Sequence, residues 1–133
     1  MKKTLLEKTA DKLVNAFINN KIIAPIPTKF TKKLGEAQKL RKLCESKVKD
    51  PIIGFKAAGT GFPVMKKLKE KEPFYAAIFK KNFLKSGQKV KINKSTFGIE
   101  LEVCYLIKQS FFSSKGSITI KNVTKYISHM APC

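Results

Sequence analysis

The residues whose type and spacing could do chemistry are two carboxylates, Glu100 and Glu102, in the run Phe97-Gly98-Ile99-Glu100-Leu101-Glu102-Val103-Cys104-Tyr105-Leu106-Ile107. Apolar side chains at Ile99, Leu101, Val103, Tyr105 and Ile107 alternate with the rest, which predicts a strand with one buried face. Glu100 and Glu102 then share the opposite face. At about 3.3 Å of rise per residue their origins lie about 7 Å apart, so both can reach one cation. The setting marks the pair out: from Pro73 to Cys133 there are ten lysines and only these two acids. The plain alternative is a solvated strand face whose acids meet lysines.

A second position of interest is Lys56, in the run Pro51-Ile52-Ile53-Gly54-Phe55-Lys56-Ala57-Ala58-Gly59, which reads as a short buried strand carrying a single charge. A lysine there is costly unless it meets an anion or sits at the strand's open end. Cys44, Cys104 and Cys133 are odd in number and lack CxxC spacing, and His129 has no ligand partner nearby in sequence. These four read as structural or incidental, since a thiolate metal site, a disulfide framework or a nucleophile each needs partners.

The positioning elements come from periodicity and punctuation. Thr4 followed by Glu7 is a capping-box pattern, and Leu5, Leu6, Ala10, Leu13, Val14, Phe17 and Ile18 recur at helical spacing, predicting a helix to about Asn20. The prolines of Ile22-Ile23-Ala24-Pro25-Ile26-Pro27 stop it. A second helix is expected from about Lys32 to Val48, capped by Thr31, with Leu34, Ala37, Leu40, Cys44 and Val48 inward. Phe62 to Lys71 reads as a short surface helix and Pro73 to Phe79 as an apolar segment. Ser86-Gly87 predicts a turn, Gln88 to Ile92 a strand, Ser113 to Gly116 a loop, and Thr119 the cap of a last helix to about Ile127.

At 133 residues the chain is expected to form one domain, helical over 1–50 and β-rich over 51–133. It has no stretch of about 18 apolar residues and no signal-peptide core, so a cytoplasmic protein without a membrane partner is expected. The net charge of +19 invites a nucleic-acid reading, but 27 of the 28 basic residues are lysine and Arg41 is the one arginine. Base-edge readers favour the planar arginine fork, and no zinc-finger or RNP-like pattern is present, so no specific nucleic-acid partner is expected. The lysine excess has the look of a compositional bias of the source genome.

Taken in order, the first helix, the Ile23-Ala24-Pro25 turn, the second helix, Gly54-Phe55-Lys56, Phe79 and Ile99-Glu100-Leu101-Glu102-Val103 resemble the amino-terminal part of the 2-keto-4-pentenoate hydratase (2-hydroxypentadienoate hydratase) family, in the fumarylacetoacetate hydrolase superfamily. The resemblance covers nearly the whole chain. It implies an α+β fold, with amino-terminal helices and part of a mixed β roll. It implies that Glu100 and Glu102 bind Mg²⁺ or Mn²⁺, that Lys56 is a catalytic residue near a small 2-keto acid, and that water adds across a conjugated double bond by way of a metal-stabilised enolate.

The chain departs from that family in three places. Phe74-Tyr75-Ala76 follows Pro73 where the family has Asp-Phe-Gly, and Phe97 stands where a proline is common. The family's third metal ligand, a glutamate, follows the segment that Met130-Ala131-Pro132-Cys133 resembles. A truncated hydratase-like protein is therefore expected, with two further readings open. One is an inactive remnant or half of a split enzyme that needs a separately encoded carboxyl-terminal piece; the other is a basic nucleic-acid-binding module. The partner expected besides the substrate is a second copy in a homo-oligomer or the missing carboxyl-terminal half.

Overall fold

The computed structural model describes residues 2–69, 71–92, 98–108 and 117–133. These form two units, Met1–Lys91 and Ile92–Cys133. Among the described residues there are three α-helices and two two-stranded antiparallel sheets, an α+β composition. No described helix is long and apolar enough to cross a membrane.

In the first unit, helix α1 (Leu5–Ile18) begins with the expected capping box. The Glu7 N–H donates to the Thr4 hydroxyl at 3.2 Å, and the Thr4 N–H donates back to the Glu7 carboxylate at 2.7 Å. Two amide groups that a helix start leaves without partners are thereby satisfied. These bonds hold the Glu7 carboxyl below the usual carboxylate range. The Pro25-Ile26-Pro27 segment leads into a 3-10 turn, Thr28–Phe30, which delivers Phe30 to the interior. Helix α2 (Leu34–Lys47) starts two residues later than expected. Lys33 occupies the cap position, because the Thr31 hydroxyl donates to the Thr28 carbonyl within the preceding turn instead. Ala10, Phe30 and Leu40 make the core, with Leu6, Leu13, Ile26, Leu43 and Cys44 packed around it. Asp11 receives both Lys3 at 2.7 Å and Lys47 at 2.8 Å, tying α1 to the end of α2. Those two ammonium groups hold its carboxyl below the usual range.

Strand β1 (Ile52–Ala58) pairs antiparallel with β2 (Phe74–Phe79), and the connection carries α3 (Phe62–Leu68). A register irregularity falls between Ile52 and Gly54. The strand is where the sequence predicts it, but it is not buried: Ile52 and Ile53 are each 46% exposed and Phe55 59%. Ser86-Gly87 forms the expected turn, Gly87 taking φ +82°. The strand expected over Gln88 to Ile92 is absent; these residues are irregular. The Gln88 side chain accepts from the Lys85 N–H and its own N–H donates to the Lys85 carbonyl, which closes the turn locally.

In the second unit, β3 (Val103–Ile107) pairs antiparallel with β4 (Ile127–Pro132). The helix expected from Thr119 reduces to a turn and a single 3-10 turn, Val123–Tyr126. Asn122, not Thr119, supplies the side-chain bond here, accepting from the Thr119 N–H at 2.7 Å and donating to the Ser117 carbonyl. From Ile127 onward the backbone is drawn into the ladder with β3. The Ser113-Gly116 loop lies outside the described residues.

Candidate functional site

Glu102 is fixed by its backbone. Its N–H donates to the Cys133 carbonyl and its carbonyl accepts from the Cys133 N–H, both at 2.9 Å, extending the β3–β4 ladder by one rung. A rung with both bonds is followed by one with neither. That next rung is Val103 opposite Pro132, so the donor that proline lacks would have faced outward in any case. Glu102 is half-buried, and Glu100 is exposed in the segment leading to it.

The expected apolar face is not covered. Ile99 is 92% exposed and Leu101 87%, both lie outside the strand, and Val103, Tyr105 and Ile107 are each more than half exposed. The alternation identifies a strand only from Val103, the first residue with a partner in β4. Phe97 lies outside the described residues.

Lys56 belongs to the first unit. It stands in β1 opposite Ala76 and is exposed, which removes the reason for regarding it as a buried charge in need of an anion. Cys104 and Cys133 are exposed and Cys44 is half-buried; burial pushes the Cys44 thiol up. The His129 ring nitrogen Nδ1 lies 2.6 Å from the Ser128 hydroxyl.

Among the described residues no three or more His, Cys, Asp or Glu side chains gather as a metal-holding group. Two carboxylates from neighbouring positions nevertheless suit Mg²⁺, which is commonly held by one or two carboxylates with water and substrate oxygens completing its shell. The donor set of Glu100 and Glu102 is of that kind.

The most closely tied polar group is one the sequence reading left out. Arg41 Nη1 donates to both carboxylate oxygens of Glu45, each at 2.6 Å, and the Arg41 guanidinium carbon lies 4.4 Å from the Tyr75 ring centroid. Glu45 Oε1 also accepts from the Ala77 N–H at 3.0 Å, so an α2 side chain caps a β2 backbone donor. The i, i+4 spacing of Arg41 and Glu45 was legible as a pair; the reach to β2 was not. Beside them an open groove of 280 Å³ is floored by Leu13, Phe17, Cys44 and Phe79. Its two charges already satisfy each other, so it offers an incoming ligand chiefly apolar surface.

Compared with known proteins, the chain matches no family model, no curated relative and no solved structure.

Proposed function

We propose that the chain is a hydratase-like protein acting on a 2-keto acid, with Glu100 and Glu102 as the ligands of Mg²⁺ or Mn²⁺. The reading rests on the second unit. The observation that carries it is the concentration of all the acid of Ile92–Cys133 in two residues, one of them anchored by paired backbone bonds to Cys133. Glu100 and Glu102 would hold the ion through carboxylate oxygens and leave its other positions to water and to the carboxylate and keto oxygens of the substrate. A divalent ion so held supplies Lewis-acid polarisation of those oxygens. The backbone ladder at Glu102 fixes the backbone from which one of the two carboxylates extends, which lowers the ordering cost of binding.

A second reading, that the chain is half of a split enzyme, is favoured by the exposed apolar residues of β3, which a further polypeptide would cover.

Titration of the full chain with Mn²⁺, followed by water proton relaxation, tests the site. Saturable binding is expected, weakened by Glu100→Gln or Glu102→Gln and lost when both are replaced. An undiminished response in the double variant would remove the metal assignment. With Mg²⁺ present, loss of 2-hydroxypentadienoate absorbance that disappears in the same variants is the expected activity; metal binding without turnover would leave the site and remove the hydratase.

A further inference from the structure

In the first unit the two edges of the β1–β2 sheet differ. Because the Ala77 N–H donates to Glu45, it points away from β1, and the Phe55–Ala77 rung is therefore one without inter-strand bonds. Two residues along, Ala57 and Tyr75 form a rung of the same kind. Phe55 and Ala57 thus turn their own N–H and C=O groups toward the outer edge of β1. On the β2 side the outward donor is taken by Glu45, held in turn by Arg41. On the β1 side, among the described residues, no hydrogen bond is made by the outward groups of Phe55 or Ala57.

That edge is dressed for association. Phe55 is 59% exposed and meets Tyr75 edge-on at 5.7 Å, so an apolar strip runs along the strand that also carries the open backbone groups. Proteins usually blunt such an edge with proline, inward charge or a covering element. A two-stranded sheet is marginal alone, and a third strand would stabilise it.

Charge selects the occupant. The sequence Met1–Lys91 holds 23 lysines and arginines against seven acids, and exposed Lys49 stands three residues before the strand. A second copy would bring +19 against +19. We infer that the outer edge of β1 docks an acidic, extended polypeptide, added as a third strand. Main-chain bonds to Phe55 and Ala57 would fix it, its apolar side chains would lie beside Phe55, and its acids would meet the field of the surrounding lysines.

The test is amide hydrogen exchange of the full chain, with and without a peptide alternating glutamate and valine. The Phe55 and Ala57 amides are expected to slow at least tenfold, and the Lys56 amide, already inside the ladder, to change little. Ala57→Pro removes an outward donor and leaves the β1–β2 bonds in place, so it should weaken the peptide at least tenfold. Protection of Phe55 and Ala57 by a lysine–valine peptide or by a single-stranded DNA oligonucleotide would overturn the inference. So would undiminished binding by Ala57→Pro, an unchanged exchange rate, or protection that grows with protein concentration and needs no peptide.

Discussion

Ala10, Phe30 and Leu40 in the first unit are at most 4% exposed, whereas Val103, Tyr105 and Ile107 in the second each keep more than half of their surface in water. Every described residue that counts as buried lies between Thr9 and Phe79. Similar side chains have met different fates because a helix satisfies its backbone within itself and can spend its apolar stripe on a neighbour such as α2. A hairpin spends its pairing on backbone bonds and leaves its faces for something else to cover. Sequence hydrophobicity therefore reports core in the helical part of the first unit, and uncovered surface in the second unit and in the β1–β2 sheet.

Phe30→Ala should break the comparison most severely. It removes an aromatic ring from the centre of the helical core and should cost about 3–5 kcal/mol, measured by urea unfolding followed through helix ellipticity. The matching change in the second unit, Tyr105→Ala, should cost less than about 1 kcal/mol. Equal losses would mean that exposure does not distinguish the two units. Glu45→Ala comes next, at about 2 kcal/mol. It strips the Ala77 N–H and the Arg41 guanidinium of a shared acceptor at a site where the two side chains are only 16% and 19% exposed. Faster exchange at the Ala77 amide would localise the effect.

The smallest expected effect is a pH dependence of the helical core. Glu7 and Asp11 have carboxyl pKa values below their ordinary ones, Glu7 through the Thr4 bonds and Asp11 through Lys3 and Lys47. Each binds its proton less readily folded than unfolded. Their stabilisation is therefore full above the ordinary carboxylate pKa, about 4, and is lost as pH falls through the depressed folded values. Helix melts at pH 6 and pH 3 should show the drop, and Thr4→Ala should shrink it by removing the Glu7 part.

The helical half was largely legible in the residues. Thr4 and Glu7 announced α1 and the Leu40 and Cys44 spacing the inner side of α2; the prolines forbade a continuation, but α1 ends earlier, at Ile18, where Asn20 turns left-handed at φ +49° and the Lys21 N–H donates to the Ala16 carbonyl. Local rules suffice where the hydrogen bonds are local. The β-rich half was harder because a strand exists only with a partner. Ile99 and Leu101 carry the same alternation as Val103 and Tyr105, yet among the described residues no strand pairs with them. Val90 and Ile92 are β-formers in the same position, 63% and 71% exposed. Thr119 was a sound cap by type, but Asn122 captured its N–H first. For the candidate site, sequence named two carboxylates at i and i+2, of which the structure sets the backbone of Glu102 in the ladder and leaves Glu100 exposed ahead of it. It misjudged the burial of Lys56, because an apolar run does not say whether anything packs on it.

Arg41 carries a last consequence. The chain writes its positive charges as lysine at 27 of 28 positions, as though the two cations were interchangeable for solubility and long-range potential. At Arg41 they are not. One nitrogen must hold both oxygens of Glu45 while a flat, weakly hydrated plane lies against Tyr75, and a compact ammonium offers no plane. In a sequence so drawn toward one residue, the single departure acts as an internal control. It marks the place where shape as well as charge was required, and that place is the joint between the helices and the first sheet.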